Sequence, residues 1–148
     1  MRYIPALNMV WKMVGGGIAV KKSILVIQGG GRPNGNTAQL VRHFVCGAED
    51  SGHRLEVISL LKQEVKGCIG CNACRYGKPC VQKDAFNDLV PKIKAADCIV
   101  FASPLYFWTL SSKIKAFIER FLVTISFTAL FATAPIAFIL FLLLFIVQ

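Results

Sequence analysis

Four cysteines lie close together in the middle of the chain and could bind a metal centre. They follow the spacing C-x2-C-x2-C-x5-C, at Cys68, Cys71, Cys74 and Cys80. Three thiolates at intervals of three, followed shortly by a fourth, can enclose a cubane 4Fe-4S cluster whose irons each take one sulfur ligand. Zinc sites with four cysteines more usually consist of two separated C-x2-C pairs. The spacing favours a cluster, and zinc or structural or redox-active thiols are the alternatives.

A glycine-rich segment contains the residues best suited to bind a phosphate group. Residues 29–37 have the sequence G-G-G-R-P-N-G-N-T and lie between a predicted strand and a predicted helix. Phosphates bind at such positions because the start of a helix offers unpaired backbone N–H groups and a partial positive charge. A Walker A loop is excluded because Asn36 stands where its lysine must be, and the glycines do not match the dinucleotide fingerprint. We predict a phosphate monoester site here, with a plain glycine turn as the alternative.

The elements around these segments alternate between strand and helix. Three short apolar runs have the composition of buried strands, at residues 23–28, 55–58 and 98–102. Helical spacing of apolar residues follows each run, and Thr37, Asp84 and Ser111 or Ser112 are the predicted N-caps. This order predicts an α/β fold with a parallel sheet and helices on both faces.

The composition fits one domain with an unusual tail. The chain has 148 residues, 55% of them hydrophobic, and its net charge of +9 comes from residues up to Arg120. The basic residues form no long run of the kind that nucleic-acid-binding arms contain, so we expect no nucleic-acid partner. We predict an N-terminal extension at residues 1–20, an α/β domain at residues 21–121 and an apolar tail at residues 122–148.

The glycine-rich segment resembles the phosphate loop of a known family. It is similar to the G-S-P-R-x-x-G-N-T loop of flavodoxin-like, NADPH-dependent FMN reductases, with glycines at the family's Ser and Pro positions. Residues 115–120, K-A-F-I-E-R, are close to the family's K-A-F-I-D-R motif. The resemblance covers about residues 22–121 and implies a flavodoxin-like sheet with about three of its five strands. It also implies a set of FMN-binding residues in the loop: Gly30, Arg32, Asn34, Gly35, Asn36 and Thr37.

A second segment, residues 103–108 with the sequence S-P-L-Y-F-W, resembles the family's other flavin-contacting loop, P-x-Y. It follows the third predicted strand, so it should reach the same edge of the sheet as the glycine-rich segment. A flavin needs flat apolar walls and N–H groups for its pyrimidine edge. The resemblance implies that the flavin is faced by Pro104, Leu105, Tyr106 and Phe107. Alternatively, the aromatic side chains, Trp108 above all, pack the next helix against the sheet.

The cysteine array resembles the compact motif of iron–sulfur flavoproteins, a branch of the same family in which it holds a 4Fe-4S cluster beside FMN. The implied activity is that of a flavin-dependent oxidoreductase with NAD(P)H as electron donor. No catalytic acid or base is implied, because the flavin performs the redox chemistry. The implied partners are small-molecule or protein redox partners and further copies of the chain in a homo-oligomer.

The last 27 residues contain no charged side chain. As a helix they would be ~40 Å long, enough to cross a hydrocarbon core of roughly 30 Å. We predict that this segment is an apolar helix. Three interpretations are open: a membrane anchor for a cytoplasmic domain, a C-terminus that was replaced through truncation or a shifted reading frame, and a buried core helix. The alternative function is a non-enzymatic, membrane-tethered electron carrier or an inactive truncated fragment. Because a fourth strand is missing from the predicted sheet, we expect the outer edge of the third strand to be unpaired.

Overall fold

The computed structural model describes residues 21–121 and residues 139–141. Strands and helices alternate along the chain as the sequence predicts. The elements are β1 (Ser23–Gln28), α1 (Asn36–Asp50), β2 (Arg54–Ser59), α2 (Ala85–Ala95), β3 (Cys98–Ala102), β4 (Leu105–Tyr106), β5 (Thr109–Leu110), α3 (Ser112–Glu119) and β6 (Ile139–Phe141). A single 3-10 turn, Ala73–Tyr76, lies between β2 and α2.

Four strands form a parallel sheet in the order β2-β1-β3-β6. In the centre, Val26 of β1 pairs with Val57 of β2 on one side and with Val100 of β3 on the other. β2 therefore lies on one side of β1, and β3, the next strand in sequence, lies on the other side. This reversal is the switch point of flavodoxin-like sheets, and ligands bind in the crevice that it creates. The predicted parallel α/β fold is confirmed.

Helices cover both faces of the sheet because successive side chains of a strand point to opposite faces. Ile24 and Val26 of β1 pack in one core cluster, to which α1 contributes Val41 and Ala48. The other cluster contains residues of β1, α2 and α3: Leu25, Ile27, Phe86, Leu89, Ile93, Ile114 and Phe117. The glycine-rich segment and the aromatic segment thus begin from rigid, buried strands.

Two of the predicted helix N-caps are confirmed and one is wrong. The side chain of Asp84 accepts a hydrogen bond from the N–H of Phe86, and the Ser111 hydroxyl accepts one from the N–H of Ile114. Helix α1, however, begins at Asn36, and its N-cap is Gly35 rather than Thr37. Gly35 has extended backbone angles, φ −72° and ψ 170°, so that the chain enters the helix two residues earlier than predicted.

Residues Ile139–Phe141 form a strand within the segment predicted to be an apolar helix. This strand, β6, runs parallel to β3, with Ile139 opposite Ile99 and Phe141 opposite Phe101. The outer edge of β3 is therefore paired, where the sequence predicted that it would lack a partner. A uniformly apolar run shows no periodicity, so the pattern could not distinguish a buried strand from a helix.

The predicted N-terminal extension, residues 1–20, and the rest of the apolar tail, residues 122–138 and 142–148, lie outside the described residues. Within residues 21–121 and 139–141, no helix is both long enough and apolar enough to cross a membrane. The predicted membrane anchor and the division of the chain at residue 121 stay predictions.

Candidate functional site

A cavity of about 550 Å³ lies at the carboxyl ends of β1 and β3. It has the size and the place at the switch point that small-molecule sites of α/β sheets have. Nine of the ten residues predicted to bind the cofactor line it: Gly30, Arg32, Asn34, Gly35, Asn36, Thr37, Pro104, Leu105 and Tyr106. Gly31 and Pro33, which the sequence did not single out, also line it. The fold therefore brings the glycine-rich and aromatic segments together.

One wall of the cavity is the start of α1. The first N–H groups of a helix have no partner within the helix, and no side chain caps this one. The N–H of Gly35 donates to the carbonyl of Arg32 at 3.2 Å, which closes the tight turn before the helix. Thr37 is buried in the first helical turn. Uncapped N–H groups and the positive end of the helix dipole can together bind an anion.

Gly29 allows α3 to approach the end of β1. A Cβ atom at this position would lie 2.2 Å from Cγ1 of Ile114 and 2.7 Å from Oγ of Ser111. The N–H of Gly29 donates to the carbonyl of Ala102 at 2.8 Å, which joins the ends of β1 and β3. Gly29 is not among the site residues that the sequence pattern indicated. A glycine directly after a buried strand was the signal that could have identified it.

The opposite wall of the cavity begins with a hairpin made of β4 and β5, in which Tyr106 pairs with Thr109. Phe107 and Trp108 form its two-residue turn, with φ of 47° and 63°. Short hairpins require positive φ at these positions and usually have Asn or Gly there. The two side chains are 96% and 87% exposed.

The exposure of the hairpin tip corrects one expectation and leaves another untested. Phe107, which was predicted to face the flavin, is 96% exposed and is not among the residues that line the cavity, so its contact with a flavin stays a prediction. The corrected expectation is that of Trp108, which does not pack α3 against the sheet, since it is almost fully exposed. Tyr106, one residue before the turn, still lines the cavity.

Two buried serines hold the hairpin between β3 and α3. The Ser103 hydroxyl accepts a hydrogen bond from the N–H of Ser111 at 2.9 Å and donates one to the carbonyl of Pro104 at 2.8 Å. Ser111 in turn caps α3. Sequence reasoning missed the role of Ser103, because a single serine after a strand is not a distinctive signal.

The cysteine loop, residues 61–83, contains the four predicted cluster ligands as free thiols. Cys68 and Cys71 are exposed, and Cys74 and Cys80 are partly buried. The sulfur of Cys68 accepts a hydrogen bond from the N–H of Gly70 at 3.4 Å. The donor chemistry fits an iron–sulfur cluster. Within the described part of the chain, however, no three His, Cys, Asp or Glu residues are grouped as a metal site. The predicted cluster is therefore not shown.

A buried ion pair between Arg120 and Asp84 lies at the base of the cysteine loop. The Asp84 carboxylate also accepts hydrogen bonds from the N–H groups of Lys66, at 2.9 Å, and Phe86, at 3.2 Å. Burial acts to raise the pKa of Asp84, but the bond from Arg120 and the two backbone N–H groups outweigh it and hold that pKa below its ordinary value. Asp84 is therefore a charged, fully engaged anchor between the loop and α2.

Comparison with known proteins gives consistent matches over most of the chain. Residues 23–142 match the family model described as NADPH-dependent FMN reductase. An iron-sulfur flavoprotein of Methanocaldococcus jannaschii is 37% identical over 97 residues, which cover 66% of this chain and 50% of that protein. An iron-sulfur flavoprotein of Methanosarcina thermophila is 29% identical over 94 residues, covering 64% of this chain and 49% of that protein.

Among solved structures, the NAD(P)H:quinone oxidoreductase from Methanothermobacter marburgensis superposes with a TM-score of 0.60 at 17% identity. The match covers 68% of this chain and 53% of that one and supports the flavodoxin-like fold. The chain spans about half the length of the curated relatives that it matches. The family model nevertheless covers well over half of this sequence, and the chain belongs to the NADPH-dependent FMN reductase family.

Proposed function

We propose that this chain binds FMN in the cavity at the carboxyl ends of β1 and β3 and transfers electrons from NAD(P)H through it. The observation that carries the proposal is the cavity itself, in which an uncapped helix start meets the Pro104–Tyr106 segment at the switch point of the sheet. Membership of the FMN reductase family supports the same cofactor and donor. When bound, FMN would accept a hydride at its ring and release electrons one or two at a time.

The proposed phosphate site is the first turn of α1 with the side chains of Arg32, Asn36 and Thr37. Among the described residues that line the cavity, Arg32 is the only charged one, and its sign suits a phosphate. The backbone N–H groups at the helix start would complete the binding of the phosphate oxygens. These residues hold the cofactor in place and take no part in the redox step.

The proposed ring site is the segment Pro104, Leu105 and Tyr106. Pro104 and Leu105 are half-buried, and Tyr106 adds an aromatic face at the edge of the cavity. These side chains would orient the flavin and exclude water from one side of it. Phe107, at the exposed tip of the hairpin, stays a predicted flavin contact outside the cavity lining.

The test is a titration of the full chain with FMN and with riboflavin, which lacks the phosphate. A phosphate bound by charge-assisted hydrogen bonds should make FMN bind at least about tenfold tighter, because such bonds each contribute about 1.5–3 kcal/mol. Equal affinities would place the phosphate outside this loop. Absence of binding by both ligands would overturn the proposed function.

We further propose that Cys68, Cys71, Cys74 and Cys80 bind a 4Fe-4S cluster. Their spacing, their free thiols and the iron-sulfur flavoproteins among the relatives support this proposal. The loop would have to draw its thiols together around the cluster, since no three of them are grouped in the described residues. Anaerobically purified protein should contain about four iron and four sulfide per chain. About one zinc per chain without sulfide would overturn the cluster.

The assembly of the chain stays a proposal as well. We propose a homo-oligomer with small-molecule or protein redox partners, by analogy with the family. The alternative function, a membrane-tethered carrier or an inactive fragment, has no observation in its favour among the described residues. A full chain that carries bound flavin and oxidises NAD(P)H would exclude the inactive fragment.

A further inference from the structure

Arg120, the residue directly after α3, has no place in the flavin cavity and is nevertheless only 1% exposed. Arginine is almost never fully buried unless its guanidinium has partners. The partners of Arg120 lie mostly in and around the cysteine loop. Its surroundings therefore indicate a role in that loop.

The guanidinium joins the two ends of the cysteine loop. Its Nη1 donates to the carbonyl of Lys66 at 3.4 Å, two residues before the first cysteine, and to the carboxylate of Asp84, which follows the loop. The Asp84 carboxylate also accepts a hydrogen bond from the N–H of Lys66. The neighbouring Glu119 carboxylate accepts a hydrogen bond from the N–H of Cys68 at 3.1 Å. Residues at the end of α3 thus hold the base of the cysteine loop through hydrogen bonds to backbone groups, which do not depend on the loop's side chains.

The guanidinium also lies near a proposed ligand. Burial acts to lower the pKa of Arg120, but the neighbouring Asp84 and Cys80 side chains raise it. Its Nε–H is buried and has no acceptor among the described residues. Because an unpaired buried donor is costly, the site has the capacity for one more acceptor. A thiolate or a cluster sulfide is an acceptor of the required charge.

We propose that Arg120 is a positioning residue for the four cysteines, which holds the loop closed at its base and places a permanent positive charge and N–H donors beside Cys80. The inference rests on the proposed cluster function. Four thiolates bring negative charge into one loop, and a cation fixed beside them offsets that charge. Hydrogen bonds to the sulfurs and the net charge of the site also set the reduction potential of a cluster.

A lysine could not replace this arginine. The planar guanidinium donates to the Lys66 carbonyl, the Asp84 carboxylate and the Asn87 side-chain oxygen at the same time, whereas an ammonium group is a compact point charge. The cation is also packed over the ring of Phe86, with 4.5 Å from the guanidinium carbon to the ring centroid. This contact leaves the guanidinium little freedom to turn away from the loop.

The test uses the full chain, purified anaerobically, with three variants. Arg120→Lys keeps the charge and removes the fork. The double variant Asp84→Asn with Arg120→Gln removes both charges, so that no carboxylate is left buried and unpaired, and asparagine still caps α2. Lys92→Gln is the matched control, because it removes the cation of an exposed ion pair with Glu56, and Lys92 lies on α2, the helix that Asp84 caps.

Three quantities are measured: iron and sulfide per chain, the midpoint potential of the cluster, and the alkylation rate of Cys80 in metal-free protein by mass spectrometry. We expect the double variant to lose iron, or to keep it at a more negative potential, and to alkylate at Cys80 several-fold faster. Arg120→Lys should fall between it and the wild type, and the control should match the wild type. A folded double variant with wild-type iron, potential and alkylation rate would overturn the proposal.

The outcome also separates this inference from the proposed cluster. Wild-type protein without iron and sulfide would refute the cluster alone. The alkylation rate of Cys80 then tests the positioning role of Arg120, because this rate is measured in metal-free protein. Faster alkylation of Cys80 in the double variant would support the positioning role, and an unchanged rate would overturn it.

Discussion

Thr37 is the residue that tests the proposed phosphate site most directly. It is buried in the first turn of α1 and lines the cavity. If its hydroxyl binds the phosphate, Thr37→Ala should weaken FMN binding by about 1 kcal/mol or more, the scale of a hydrogen bond to a charged group. Riboflavin binding should hardly change. Flavin fluorescence titrations measure both affinities, with Thr109→Ala, on β5 and outside the cavity, as the control. Equal losses for the two ligands would contradict the assignment.

Gly29 offers a test of the packing that supports the cavity. Gly29→Ala should lower the free energy of unfolding by about 1–3 kcal/mol, because the new methyl group would overlap Ile114 and force α3 away from β1. Gly31→Ala is the matched control, since a Cβ there would meet nothing within 4 Å. Urea unfolding of both variants measures the difference. If both variants lost the same stability, the close approach of α3 would not depend on Gly29.

At the scale of elements, a change in the β4–β5 hairpin can test whether its aromatic tip contacts the flavin or only forms the turn. Phe107 and Trp108 both have positive φ, which costs a residue other than glycine of order 1 kcal/mol or more. Phe107→Asn combined with Trp108→Gly supplies the usual turn residues and should raise the free energy of unfolding by about 1 kcal/mol. FMN affinity should be unchanged, because neither side chain lines the cavity. A large loss of FMN affinity would instead support the prediction that Phe107 faces the flavin.

The sequence predicted elements well where side-chain type alone determines them. β1 and β3 occupy the residues that their continuous apolar runs indicated, and Asp84 and Ser111 cap helices because their side chains can accept a backbone N–H. The β4–β5 hairpin could not be predicted, since two-residue strands joined by Phe-Trp contain none of the usual turn residues. Gly35 replaced Thr37 as the N-cap because backbone angles, which the sequence does not display, decide where α1 begins.

The sequence predicted which segments form the candidate site, but not the long-range contacts around it. The topology of a parallel sheet brings the segments after β1 and β3 to one edge, so nine of the ten predicted residues share the cavity. What the sequence could not supply are long-range contacts such as those of Arg120 with Lys66 and Asp84, which join residues more than thirty positions apart. These contacts arise because α2 and α3 pack on the same face of the sheet. No local sequence pattern indicates them.

At the scale of the whole molecule, β6 joins residues 139–141 of the apolar tail to the sheet. Its pairing covers the edge of β3, where Ile99, Val100 and Phe101 are buried. A parallel strand with an apolar, unpaired edge is a site for association with other chains. Residues 139–141 therefore have a structural role as the partner of β3, beside any role of the tail in a membrane.

Two truncations of the chain test this role. Deleting residues 122–148 removes β6 and should leave a body that aggregates, melts at a lower temperature and binds no FMN, because the edge of β3 next to the cavity is then exposed. Deleting residues 142–148 keeps β6 and should preserve FMN binding and the melting temperature of the full chain. Size-exclusion chromatography, thermal unfolding and flavin titration compare the two. A monomeric chain of residues 1–121 that binds FMN as the full chain does would show that the tail is dispensable for the fold and would favour its interpretation as an anchor.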